Sequence, residues 1–296
     1  MNGLLVIDKP VGWTSHDVVG RLRTITGERS IGHLGTLDPM ASGVLPLLVG
    51  RFTRLAQFFS AAEKSYTGRI RFGFATDTYD AEGQPSGPDC WPELAPPLTL
   101  DRVRLAALRF QGEIEQVPPS YSAKKVQGKP AYKLARAGKP VELKAVAVRV
   151  AAFEIVALDG CEARFTISVS AGGYVRSIAH ELGQALGCGA HLSSLRRTRA
   201  GAFMLDAAHT LEELAPLAGH TDALEALCVP PRSLLPEMPA VSGDAVSLGR
   251  LRNGSLANLP EFSRAPLVKV FAGRNELAGI AKRVAGTLFQ PLVVLG

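Results

Sequence analysis

The stretch that most limits how this chain can fold is Ile31-Gly32-His33-Leu34-Gly35-Thr36-Leu37-Asp38-Pro39-Met40-Ala41-Ser42-Gly43-Val44-Leu45. Two glycines, a histidine, a threonine and one carboxylate fall within eight residues, and an apolar run to Val49 follows. Gly32 and Gly35 permit backbone conformations that a Cβ forbids and let another backbone come close. Pro39 disfavours the helical region at Asp38, so that carboxylate is expected to be extended at a turn. The apolar run from Val44 to Val49 is expected to anchor the loop to the core. Asp-Pro also opens turns and caps helices, in which case Ala41–Leu48 is that helix. Local sequence leaves both readings open.

Elsewhere the periodicities are plainer. Leu4–Ile7 reads as a buried strand, followed by a turn at Lys9-Pro10-Val11-Gly12. Ser15 is the expected N-cap of a helix whose apolar stripe is Val18, Leu22 and Ile25. Residues 66–74 alternate, with Tyr66, Gly68, Ile70, Phe72 and Phe74 on one face and Arg69 and Arg71 on the other, as in an antiparallel strand. Residues 84–101 are rich in Pro and Gly and read as a loop. Asp101 is expected to cap a helix bearing Val103, Leu105 and Leu108. Residues 145–157 and 162–170 read as strands, Ile178–Leu186 as a helix, and Gly187–Arg199 as a basic, glycine-containing segment. A helical stretch from Leu211 to Leu227 leads to a linker at Val229-Pro230-Pro231. The last sixty or so residues read as a small β module with strands near 267–271, 277–282 and 292–295.

Composition narrows the class. A formal charge of +6 and a pI near 9.3 suit an anionic partner. Lys124, Lys125, Lys129, Lys133, Arg136, Lys139 and Lys144, interleaved with Tyr132 and preceded by Tyr121, can track a nucleic-acid backbone or form a solvated helical face. The four cysteines lie far apart with no Cys-x-x-Cys pair, arguing against a zinc finger and for reduced thiols. The N-terminus reaches Asp8 and Lys9 too early for a signal peptide, and no apolar run suffices to span a bilayer. A cytoplasmic protein is expected. Lys133 and Pro140 spoil a phosphate loop around Gly138-Lys139, and His180-Glu181 lacks the second histidine of a zinc helix. Neither a cofactor nor a metal is called for.

Six motifs occur in one order over residues 3 to about 200: GLLVIDKPVGWTSHDVV, GHLGTLDPMASGVLPLLVG, KSYTG, TDTYDAEG, PPSYSAKK and YVRSIAHELG. Together they resemble the TruB family of tRNA pseudouridine synthases. The resemblance implies an α+β pseudouridine synthase fold: a mixed, mainly antiparallel sheet flanked by helices. It implies a catalytic domain over residues 1–231, with an RNA-binding insertion near 121–144, and a PUA-like RNA-binding domain over 232–296. It implies isomerisation of uridine to pseudouridine at position 55 in the tRNA T loop. Asp38 is then the nucleophile, Arg176 its cationic partner and Tyr66 the aromatic that stacks on the uracil. His33, Tyr174 and Leu195 are implied to contact the substrate, and Lys124 and Lys125 to contact RNA.

The expected partner is the T-arm of tRNA, with no guide RNA, no membrane and no obligate protein partner, and a monomer is expected. A guide-RNA-dependent enzyme of the Cbf5/dyskerin type and a non-catalytic tRNA-binding protein are the alternatives. Two positions depart from the family pattern: Gly173 replaces the usual Thr before Tyr174, and Leu34 replaces a smaller or polar residue.

Overall fold

The computed structural model describes residues 1–296 except 123, 127, 132–133, 135–136 and 138–142. The apolar run after Asp38 is a strand, not a helix. β3 (Ala41–Val49) is buried along its whole length, which accounts for a continuous apolar run with no alternation. On one side it pairs antiparallel with β1 (Gly3–Lys9), Gly3 opposite Val49 and Lys9 opposite Gly43. The short strand β2 (Ile31–His33) pairs with its far end.

On the other side β3 meets β10 (Ala190–Ala200) in the sheet's parallel step, Leu195–Arg197 against Ala41–Gly43. β10 pairs antiparallel with β4 (Lys64–Phe72), and β9 (Glu162–Val169), β8 (Val146–Asp159) and β5 (Gly112–Gln116) follow. β11 (Phe203–Met204) folds back on β10, giving a nine-stranded sheet ordered β1-β3-β10-β4-β9-β8-β5 with β2 and β11 attached. Between β5 and β8, β6 (Lys125–Val126) and β7 (Lys129–Pro130) form a two-residue ladder. The expected mixed, mainly antiparallel sheet is therefore present. So is a central strand where the sequence suggested only a basic segment at 187–199.

Several helices contribute to one core over this sheet. In α1 (Ser15–Thr26), Val18, Leu22 and Ile25 are buried as their spacing requires. The cap is Thr14 rather than Ser15: its hydroxyl accepts from Asp17 N and the Asp17 carboxylate accepts from Thr14 N, a reciprocal capping box. Ser15 is thereby free to bond elsewhere. α2 (Leu100–Ala107) is capped by Thr99 rather than Asp101, and buries Val103 and Ala107 while Leu105 and Leu108 stay exposed. α3 (Val175–Leu186) buries Ile178, Leu182 and Leu186 and ends at Gly187, whose φ of 77° is the left-handed cap that glycine favours. The stretch 211–227 is two short helices, Leu211–Leu214 and Thr221–Ala226, with Gly219 at φ 82° between them.

The C-terminal region forms a separate five-stranded sheet of β12 (Ala240–Gly243), β13 (Ala257–Asn258), β14 (Leu267–Ala272), β15 (Glu276–Ala285) and β16 (Leu288–Val294), ordered β12-β14-β15-β16-β13. Its own core includes Val241, Leu251, Val268, Val270 and Phe289. A shared apolar layer joins it to the large sheet, with Leu4, Val6, Val44 and Leu48 on one side and Phe271, Ile280 and Leu295 on the other. Fully burying each such side chain contributes about 1.5–3 kcal/mol before entropy is counted. Arg51 and Arg54 donate to the carbonyls of Leu295 and Val294 across the same junction, at 2.9 and 2.7 Å.

Candidate active site

The loop carrying Asp38 joins β2 to β3 and is fastened from three sides. Leu37 N donates to Ser15 Oγ at 2.8 Å, and Ser15 Oγ donates back to Leu37 O. Lys9, with no exposed surface, donates from Nζ to the carbonyls of Pro10 and Trp13 and, at 3.4 Å, of Pro39. Burial pushes that ammonium down from 10.5 to about 8, against the pull of the Asp38 carboxylate. Arg197, equally buried, donates from Nε to Val44 O at 2.7 Å and from Nη2 to Gly35 O at 3.0 Å. Gly35 has φ 111°, and a Cβ there would lie 3.2 Å from Lys64 Cε. The loop is thus tied to β1, α1 and β10, and Asp38 is held on rigid elements.

Arg176, in the first turn of α3, meets Asp38. Its Nη2 donates to Asp38 Oδ1 at 3.1 Å and its Nε lies 2.9 Å from Oδ2. Nη1 donates to Thr78 O and Nη2 to Tyr121 O, both at 3.0 Å, and Asp80 Oδ2 lies 3.4 Å from Nη1. The guanidinium side chain is 5% exposed, so these partners stand in for water. Asp38 keeps 36% of its side-chain surface exposed. Burial pushes its carboxyl above the usual range and Asp80 adds to that, while Arg176 and then Lys9 oppose it.

Tyr66 on β4 sits directly across from Arg197 on β10. Its phenol is pushed up by burial, with the Asp38 charge acting the same way and Arg197 drawing it down. The site therefore offers a partly open carboxylate with a guanidinium against it and a buried phenol nearby. Such a carboxylate can attack an electrophilic carbon and later leave. Among the described residues, no group of three His, Cys, Asp or Glu side chains is arranged to hold a metal.

Residues 23–175 match the TruB family pseudouridylate synthase N-terminal domain, and residues 176–235 match the tRNA pseudouridylate synthase B C-terminal domain. The chain belongs to the TruB family. It is 46% identical over 298 residues to the tRNA pseudouridine synthase B of Solibacter usitatus, spanning all of both chains. It is 39% identical over 286 residues to that of Ectopseudomonas mendocina, covering 95% of this chain and 91% of the relative. Among solved structures, a chain of a Cbf5–Nop10–Gar1 complex superposes with a TM-score of 0.71 at 26% identity, over 99% of this chain and 85% of that one. A chain of an archaeal box H/ACA Nop10–Cbf5 complex gives 0.70 at 25% identity, over 99% of this chain and 86% of that one.

Within this TruB-family fold the residues singled out from sequence fall into place unevenly. Asp38 and Arg176 touch, and Tyr66 shares Arg197 with the Asp38 loop. Leu195 lies two residues before Arg197 on β10, opposite Ala41 and Gly68, and is buried. Tyr174 is the N-cap residue of α3, two positions before Arg176. His33 ends β2; its Nδ1 is buried without a hydrogen-bond partner among the described residues, and burial pushes the imidazole down. Lys124 is half-buried. The side chains of Lys125 and Lys129, and the further basic positions Lys133, Arg136 and Lys139, lie outside what is described.

Four residues of the site were not assigned a role from sequence: Lys9, Asp80, Gln116 and Arg197. Asp80 stands inside TDTYDAEG and Arg197 inside the segment 187–199 that reads only as basic and glycine-containing. Gln116 is a fully buried amide at the end of β5, with nothing beside it in sequence to suggest a partner.

Proposed function

We propose that this chain converts uridine to pseudouridine at position 55 in the T loop of tRNA, with Asp38 as the nucleophile on a flipped-out uridine. The N1–C1′ bond breaks, the base turns and C5 bonds to C1′; C5 gives up a proton and N1 gains one. Neither a redox change nor phosphate energy enters, so no cofactor is required. Attack at C1′ and attack at C6 of the uracil both demand an ionised carboxylate. The Arg176 guanidinium against Asp38 is the observation that carries the reading, because burial disfavours the ionised carboxylate and the guanidinium opposes that effect.

Tyr66 stacks on the uracil and assists removal of the C5 proton. His33 enters the T loop beside the extruded base and offsets part of an unstacking cost of a few kcal/mol. Tyr174 and Leu195 contact the substrate, and Lys124 and Lys125 follow the RNA backbone. Residues 1–231 act as the catalytic domain and 232–296 as a PUA-like RNA-binding domain. The enzyme works in the cytoplasm as a monomer without guide RNA. Full-length similarity to relatives named tRNA pseudouridine synthase B supports this over a guided enzyme. For membrane association, the described helices offer none that is long and apolar enough to cross a bilayer.

The test uses purified protein and unmodified tRNA transcript, with pseudouridine mapped by chemical labelling and primer extension, and Asp38→Asn alongside. Product at the T-loop uridine with wild type alone is expected, with RNA binding retained in the variant. Binding without product in either sample would overturn the reading in favour of a guided enzyme or a binding protein.

A further inference from the structure

The helix that presents Arg176 lacks a cap of its own. Its N-cap residue, Tyr174, has extended geometry (φ −109°, ψ 106°) and its side chain makes no capping hydrogen bond. The exposed peptide groups at such a terminus need partners from elsewhere. Here Tyr174 N donates to Gln116 Oε1 at 2.7 Å, and Gln116 Nε2 donates to Tyr174 O at 3.0 Å. A side-chain amide thus satisfies both main-chain groups of one residue, as a neighbouring strand would. Gln116 is 0% exposed, so water cannot replace it.

Two further links run between the same segments. Ser177 Oγ donates to Val117 O at 3.0 Å, and Arg176 Nη2 donates to Tyr121 O at 3.0 Å. Residues 116–121 and 174–177 are therefore joined at three points, and the last of them is the guanidinium that holds Asp38.

We propose that Gln116 is a positioning residue for the reaction: its amide sets the Tyr174 peptide so that Arg176 reaches Asp38, and it couples the segment leaving β5 to that ion pair. The proposal rests on the reading of Asp38 and Arg176 as reacting partners. Gln116 itself does not touch the substrate. Its effect belongs on the chemical step, because a displacement of about 1 Å in a reacting geometry costs roughly a hundredfold in rate.

Gln116→Met keeps the length and removes both hydrogen bonds; Gln116→Glu keeps the acceptor for Tyr174 N and loses the donor to Tyr174 O. Steady-state kinetics on unmodified tRNA transcript are read as kcat and KM, and amide hydrogen exchange is followed across 174–177 in both variants. We expect kcat to fall roughly a hundredfold in Gln116→Met with KM within about twofold. Gln116→Glu should lie between it and wild type, and exchange at Tyr174 N should speed up at least about tenfold in Gln116→Met.

Wild-type kcat in Gln116→Met, or a loss confined to KM, would overturn the proposal. If Gln116→Met does not fold, Gln116→Glu decides by the same split. Should wild type form no pseudouridine, the functional reading falls, and unchanged exchange at Tyr174 would separately remove the lock.

Discussion

Arg176→Lys isolates what the guanidinium does for Asp38, because it preserves the charge and removes the planar fork. The arginine approaches the carboxylate through two nitrogens, 2.9 Å from Oδ2 and 3.1 Å from Oδ1, and donates to the carbonyls of Thr78 and Tyr121 as well. An ammonium carries three donors on one atom and cannot reach acceptors spread around a guanidinium. Losing one charge-assisted contact to the carboxylate costs about 1.5–3 kcal/mol. At about 1.4 kcal/mol per pKa unit, that raises the Asp38 pKa by about 1–2 units. Burial already pushes this carboxyl upward, so the loss acts in the same direction.

With Asp38 as the proposed nucleophile the ionised form is the reactive one, so the rate should climb with pH through its pKa. In Arg176→Lys the acidic limb of the pH–rate profile should move about 1–2 units toward higher pH. At any fixed pH on that limb the rate should fall about 10- to 100-fold, and raising the pH should recover much of it. The assay is single-turnover release of tritium from C5-labelled uridine, with enzyme in excess over T-arm RNA. A variant whose acidic limb superposes on the wild-type limb, with only a lower plateau, would refute this account. Arg176 would then orient Asp38 without governing its charge.

Folding lowers the Lys9 pKa from 10.5 to about 8, so between those values the unfolded chain holds more protons than the native one. The Lys9 contribution to stability is fully present above 10.5 and is lost as pH falls through 8. Urea unfolding should therefore show a rise in stability across that window that is flatter in Lys9→Met. Gly43→Ala would put a Cβ 2.2 Å from Arg197 O at φ 101°. Backbone strain of about 1–3 kcal/mol and overpacking of about 1–3 kcal/mol should both register in its urea midpoint. Gly12→Ala, at φ 84° with open space around it, should lose only about 1–2 kcal/mol. Changing Lys124 and Lys125 together to Ala should weaken tRNA binding and reduce the slope of log K against log salt by about 1.4–1.8, measured by filter binding across a salt series. An unchanged slope would remove these two lysines from the RNA contact.

What could be read from sequence divides along physical lines. Apolar stripes at regular spacing, such as Val18, Leu22 and Ile25 or Phe165, Ile167 and Val169, met the core as expected, since burial favours them wherever the chain runs. Caps were read one or two residues late, because Thr14 and Ser15 are chemically similar and only the reciprocal bond with Asp17 separates them. β10 escaped notice for a different reason. Its arginines mark only a basic segment in the sequence, yet Arg197 is fully buried because the carbonyls of Val44 and Gly35 take its donors.

Lys9, Asp80 and Gln116 are likewise polar and buried, and each has one partner remote in the chain: Pro39 O for Lys9, Arg176 for Asp80 and Tyr174 for Gln116. Sequence statistics reward burial of apolar groups and cannot register a carbonyl supplied from 150 residues away. Around Asp38 this has a consequence for mechanism. Asp38 and Arg176 lie in recognisable motifs, but the groups that hold them in register lie outside the roles those motifs suggested. Lys9 fixes Pro39, Arg197 fixes Gly35 and Val44, and Gln116 fixes Tyr174. A substitution at any of the three removes no reacting group, yet it leaves buried carbonyls or an amide unpaired, at about 1–3 kcal/mol each. Part of that cost can be relieved only by moving the loop or the helix terminus, and so by lengthening the contact between Asp38 and Arg176. Loss of activity in such variants should therefore track the geometry of that ion pair more closely than it tracks global stability.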